Sequence, residues 1–229
     1  MESYRLEGQT FVIDDYDRKP AFSSFLPGLA GVKGIPLWTF YTNRGQGMNS
    51  FGIDNKGNAI MEFNSANTAF ENTQVKGFRT FLKIDGEYYE PFFTYEKEAK
   101  RQMRMNKNSF KIIETNEKYG IEVTVNYYVL PNESIGALVR QVSVKNIGDS
   151  AKEVQVIDGL PKIITYGIAN GEFKELSNLF KSWADIRNLE NKVPYYTLRA
   201  STKDSAEVSD VEGGYYYLTV RDGKLQDVI

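Results

Sequence analysis

Between Ile121 and Val129 the chain alternates without a break. Ile121, Val123, Val125, Tyr127 and Val129 fall on one side, with Glu122, Thr124 and Asn126 between them. Successive side chains leave opposite faces of an extended backbone, so this pattern predicts a strand with one buried face. Its partner is Ser109–Thr115, reached through Asn116–Tyr119. Similar runs recur along the chain. Gly8–Tyr16 and Leu37–Thr42 are rich in aromatic and β-branched residues, as strands are. Asn49–Ile53 and Asn58–Phe63 flank Asp54–Gly57 as a hairpin. Phe78–Ile84 and Glu87–Phe93 flank Asp85-Gly86, a dipeptide suited to a type I′ turn whose twist matches that of its strands. Ala137–Lys145 and Glu153–Asp158 read as a further pair, and Tyr215–Arg221 with Lys224–Ile229 as the last, around Asp222-Gly223. On alternation, Phe11, Phe40, Phe63, Phe81 and Tyr127 belong to the core.

The period changes once. In Glu172–Asp185, Phe173, Leu176, Phe180 and Trp183 recur at helical spacing, which predicts an amphipathic helix near 172–185 packed on the strands. Many short strands and one such helix favour an antiparallel β-sandwich, mainly β, over any α/β layout. We expect one domain over residues 1–229. The final LQDVI reads as an unfinished strand, so the chain is expected to be the N-terminal piece of a longer polypeptide, and to self-associate through uncovered strand edges.

Composition narrows the chemistry. The 229 residues contain no histidine and no cysteine. Ser-His-Asp triads, thiolate nucleophiles and His- or Cys-based metal sites are therefore excluded within this chain. Formal net charge is −2 with charges scattered. The mixed cluster Lys97–Arg104 reads as a solvated face rather than a nucleic-acid patch. No apolar leader or membrane-length run is present, and a cytoplasmic location is the default expectation.

The segment Phe25–Met48, FLPGLAGVKGIPLWTFYTNRGQGM, fits none of these patterns. It resembles neither a core helix nor a regular hairpin. Gly28–Gly34 lacks the Gly-Lys-Ser/Thr ending of a phosphate loop. The amide and guanidinium groups of Asn43, Arg44 and Gln46 could pair with sugar hydroxyls, and Trp38 or Tyr41 could stack on a sugar ring. The bland alternative is a turn whose arginine meets a nearby carboxylate. Asp14, Asp15, Asp17, Glu62 and Glu71 are available carboxylates, but no spacing selects the opposed pair that glycoside cleavage needs. No catalytic residue and no metal ligand is assigned.

FVIDDYDRKPAFSSFLPGLAGVKGIPLWTFYTNRGQGMNSFGIDNKGNAIMEFNSAN resembles the N-terminal region of cellobiose-phosphorylase-like enzymes of glycoside hydrolase family 94, with most likeness to 1,2-β-oligoglucan phosphorylases. FSSFLPG, KGIPLW and NRGQG carry it. GFRTFLKIDGEYYEPF, YGIEVTVNYYVLPNESIGALVRQVSVKN and VIDGLPKIITYG follow in order. The resemblance implies a galactose-mutarotase-like supersandwich ahead of a helical (α/α)6 barrel. That barrel would perform inverting phosphorolysis of a β-linked gluco-oligosaccharide with inorganic phosphate, without another cofactor. It also implies a homodimer, and sandwich loops near the sugar. The catalytic acid of such an enzyme lies in the barrel, so this chain would be non-catalytic. The alternatives are an independent carbohydrate-binding module and a purely structural assembly domain.

Overall fold

The computed structural model describes residues 3–46, 50–53, 55–93, 98–200, 207 and 214–227. The chain divides into two compact units, Met1–Ile163 and Ile164–Ile229.

The first unit runs through β1 (Tyr4–Glu7), β2 (Thr10–Asp14), a 3-10 turn (Tyr16–Arg18), β3 (Ser23–Ala30), β4 (Ile35–Thr42), β5 (Ser50–Ile53) and β6 (Asn55–Ala59). After α1 (Ala66–Lys76) come β7 (Arg79–Ile84), β8 (Glu87–Tyr89), β9 (Lys100–Met105), β10 (Ser109–Asn116), β11 (Ile121–Val129), β12 (Leu138–Asn146) and β13 (Val154–Gly159). They form a six-stranded sheet in the order β1-β2-β9-β10-β11-β12, a four-stranded sheet β3-β4-β5-β6 and a three-stranded sheet β13-β7-β8. All pairings are antiparallel. The two smaller sheets lie against one face of the large one. Tyr41 of β4 stacks on Phe110 of β10 at 4.3 Å between ring centroids. Phe78, at the entry to β7, meets Tyr127 of β11 at 5.9 Å. This is a mainly-β sandwich, as the alternation predicts.

Ile121, Val123, Val125 and Tyr127 are all buried. Asp85 (φ 49°) and Gly86 (φ 94°) both lie at positive φ, as a type I′ turn requires. Three expectations fail. Ala137–Lys145 and Glu153–Asp158 are strands, but they do not pair with each other. β12 closes the large sheet on β11, while β13 crosses to β7. The expected Asn49–Ile53 and Asn58–Phe63 pair is instead Ser50–Ile53 with Asn55–Ala59, Ile53 standing opposite Asn55, while Asn49 and Asp54 lie outside the described residues. Phe11 and Phe81 are exposed, at 41% and 38%; in β7 the core face is taken by Thr80, Leu82 and Ile84, and in β2 the buried side chains are Val12 and Ile13. β1, β9 and α1 were not anticipated, and β9, drawn from the cluster read as a solvated face, buries Arg101 and Met103. The polar sequence of α1 buries only the small residues Ala69 and Thr73, a stripe too narrow to read as amphipathic.

The second unit holds α2 (Asn170–Trp183), β14 (Ala184–Arg187), β15 (Tyr195–Leu198), β16 (Val220–Arg221) and β17 (Lys224–Leu225). Phe173 and Phe180 of α2 form an apolar cluster with Ile164 and Ile168, against which Trp183 and Leu198 pack. The helix thus serves a core within its own unit. It kinks at Leu176 (φ −120°), which is 39% exposed rather than part of the buried stripe. Of the Tyr215–Tyr217 triplet, Tyr216 projects outward at 87% exposure.

Candidate functional site

Phe25–Thr42, set aside as irregular, is a long regular hairpin with Ser23↔Thr42 through Ala30↔Ile35 in register. Its glycines answer to neighbours rather than to the strand. A Cβ on Gly28 would stand 2.7 Å from the Val129 side chain, so β3 can approach β11 only without one. Gly31 has φ 69°, and a Cβ there would stand 2.6 Å from the Ile135 carbonyl. The Gly31 and Val32 N–H groups donate to the carbonyls of Leu130 and Glu133 at 2.9 and 2.7 Å, which ties the hairpin tip to residues 130–135. Leu29, Val32 and Ile135 are left facing outward, at 67%, 66% and 63% exposure. We expect Gly31→Ala to destabilise the sandwich by about 2 kcal/mol through forced left-handed backbone and steric contact, measured as a lower urea midpoint with an unchanged slope.

The five sequence-predicted binding residues do not converge on one surface. Asn43 accepts from the Phe22 N–H at 3.2 Å and donates to the carbonyls of Tyr16 and Lys19 at 3.2 and 3.0 Å. Its amide closes the end of β4 over the 3-10 turn. Gln46 donates to Thr80 Oγ1 at 2.9 Å and accepts from Arg140. Both amides are buried, at 1% and 3% exposure, so their hydrogen-bonding capacity is spent inside the fold. Tyr41 is buried on Phe110, its hydroxyl donating to Met105 Sδ at 3.0 Å, and burial raises its pKa. Arg44 is half-buried, with its guanidinium 4.1 Å from the Phe70 ring centroid on α1. Trp38 is also half-buried, opposite Pro27 and Gly52. Only Arg44 and Trp38 keep a surface that a ligand could touch. Gly47 and Met48 lie outside the described residues.

Sequence reasoning missed the strongest electrostatic features, two buried arginine clusters. In the first, Arg101 of β9 donates to Glu114 of β10 at 2.6 Å, to Asp17 at 2.7 Å and to the Phe93 carbonyl at 2.7 Å. Glu114 also accepts from the Phe92 N–H at 2.7 Å and from the Tyr89 hydroxyl. Burial pushes the Glu114 carboxyl up against the pull of Arg101, and burial with the Glu114 charge keeps Tyr89 protonated. In the second, Arg140 of β12 donates to Asp158 of β13, to Gln46 and to Thr80, and its Nε donates to the Tyr127 hydroxyl at 3.1 Å. Both sit on alternating positions of ordinary strands, where a charge reads as solvent-facing unless its partner is known.

Every group in these clusters is matched to a group of the same chain. Of the carboxylates available for acid–base chemistry, Asp14 pairs with Arg5, Asp17 with Arg101 and Glu62 with Lys162. Among the described residues, no group of acidic side chains could hold a metal ion, and no helix is long and apolar enough to cross a membrane. The β3–β4 tip carries an exposed apolar projection of Leu29 and Val32, with Ile135 beside it. Neither a protein-family model nor a curated protein matches the chain.

Proposed function

We propose that the chain is the non-catalytic β-sandwich of a glucan phosphorylase, contributing scaffold and docking surface to a helical catalytic barrel that acts on β-linked gluco-oligosaccharides with inorganic phosphate. The observation that carries this reading is the β3–β4 tip. A hairpin held by glycine contacts and backbone hydrogen bonds presents Leu29 and Val32, with Ile135 beside them, to the outside. Solvent-facing aliphatic side chains on a rigid projection suit a protein surface, not a sugar. The polar groups that would recognise sugar, Asn43 and Gln46, turn inward. The FSSFLPG and KGIPLW stretches that carry the family resemblance lie along β3 and across the turn into β4 of this hairpin.

Two measurements test it. Calorimetric titration of the isolated chain with a β-1,2-gluco-oligosaccharide, with cellobiose alongside, is expected to give no heat. In the enzyme that carries the chain, Leu29→Asp with Val32→Asp is expected to lower phosphorolysis at least tenfold while the sandwich still folds, since buried charge opposes docking by several kcal/mol. Millimolar or tighter binding by the isolated chain would favour a carbohydrate-binding module instead. Unchanged phosphorolysis in the double variant would remove the docking role.

A further inference from the structure

We infer that β13 is an interface strand that pairs antiparallel with β13 of a second copy of the chain across a two-fold axis at Ile157. This inference is independent of the glucan reading. Both layers of the sandwich end on one side. β12 is the last strand of the large sheet and β13 the first of the three-stranded sheet. Arg140 and Asp158 bridge the two strands, so their open edges are neighbours. Among the described residues, β7 is the sole strand partner of β13.

Three other edges of the first unit carry the usual protections against strand addition. β1 has four residues and bears Arg5 and Glu7, β8 has three residues, and β3 contains Pro27. β13 has none over Val154–Ile157, which is free of charge and proline. Val156 and Ile157 point to opposite faces of the strand, and both are exposed, at 48% and 59%. An uncharged edge bare on both faces is a template for another strand.

Register favours a second copy as the occupant. Opposed residues of an antiparallel pair share a face, so a two-fold axis perpendicular to the sheet must pass through a residue. Centred on Ile157, it sets Val156 opposite the partner's Asp158 and Gln155 opposite the partner's Gly159. Within β13, no two charges oppose each other. Ile157 is already the cross-strand neighbour of Phe81. The axis would therefore join Phe81 and Ile157 to the partner's Ile157 and Phe81 in one apolar ladder, the kind of cross-strand contact that stabilises sheets. The two three-stranded sheets would become one of six.

The absence of cysteine makes the test direct. Light scattering of the 229-residue chain is expected to give twice the monomer mass. Val156→Lys with Ile157→Lys should return it to monomer with its thermal transition retained, since both side chains are solvent-exposed in the single chain. Ile157→Cys sets two thiols within disulfide reach across the axis. With oxidised glutathione as oxidant it is expected to form a covalent dimer much faster than Tyr216→Cys, a variant at an exposed position on the second unit. A monomer at all concentrations overturns the inference. So does a dimer that survives the lysine pair, or equal cross-linking of the two cysteine variants.

Discussion

Replacing Arg101 with methionine is expected to destabilise the sandwich by about 5 kcal/mol, the upper end for breaking one side of a buried ion pair. The Arg101 side chain is 1% exposed, Glu114 0% and Asp17 13%. Methionine restores most of the volume and none of the charge. Glu114 would keep Tyr89 and the Phe92 N–H, but no cation would offset its burial, and water could not reach it without opening the sheets. Urea unfolding followed by tryptophan fluorescence and far-UV signal measures the loss. Arg101→Met with Glu114→Gln is expected to recover part of it, because the orphaned charge goes with its partner. A loss below about 1 kcal/mol in the single variant would mean that the cluster is already hydrated and that the pair contributes as little as a surface one.

The local half of this fold is legible in the chain. Period-2 alternation places the strands from Ser109 to Val129, and Asp85-Gly86 specifies its own turn, because both effects depend on residues within a few positions of one another. Partner choice is not local. The patterns of Leu138–Asn146 and Val154–Gly159 say that each is extended, and nothing in them says that the chain changes layer between the two. The β3–β4 hairpin is hidden for a related reason. Its glycine and proline content reads as irregular, yet Gly28 and Gly31 are set by Val129 and Ile135, more than a hundred positions away. Side-chain direction is the third gap. Asn43 and Gln46 declare hydrogen-bonding capacity in the sequence, but whether that capacity serves a ligand or the interior depends on Tyr16, Lys19, Thr80 and Arg140 arriving from other elements.

Arg140 differs from Arg101 in what its loss would leave behind. Its guanidinium lies 5.0 Å from the Phe78 ring centroid and 5.8 Å from that of Tyr127, while its nitrogens serve Asp158, Gln46, Thr80 and the Tyr127 hydroxyl. One side chain thus fastens β12 to β13, the two edge strands, and holds the buried amide of Gln46. The stem and ring contacts would survive in Arg140→Met. The charge would not, and Asp158, 19% exposed, could take water in its place. We expect a loss of about 3 kcal/mol, the lower end for a broken buried pair, because one partner can rehydrate. The consequence should be local as well. With the β12–β13 clasp gone, amides of β13 are expected to exchange with deuterium faster than those of β9 and β10, which make no hydrogen bond with Arg140. Uniform acceleration across all three strands would show that Arg140 supports the whole core rather than its open side.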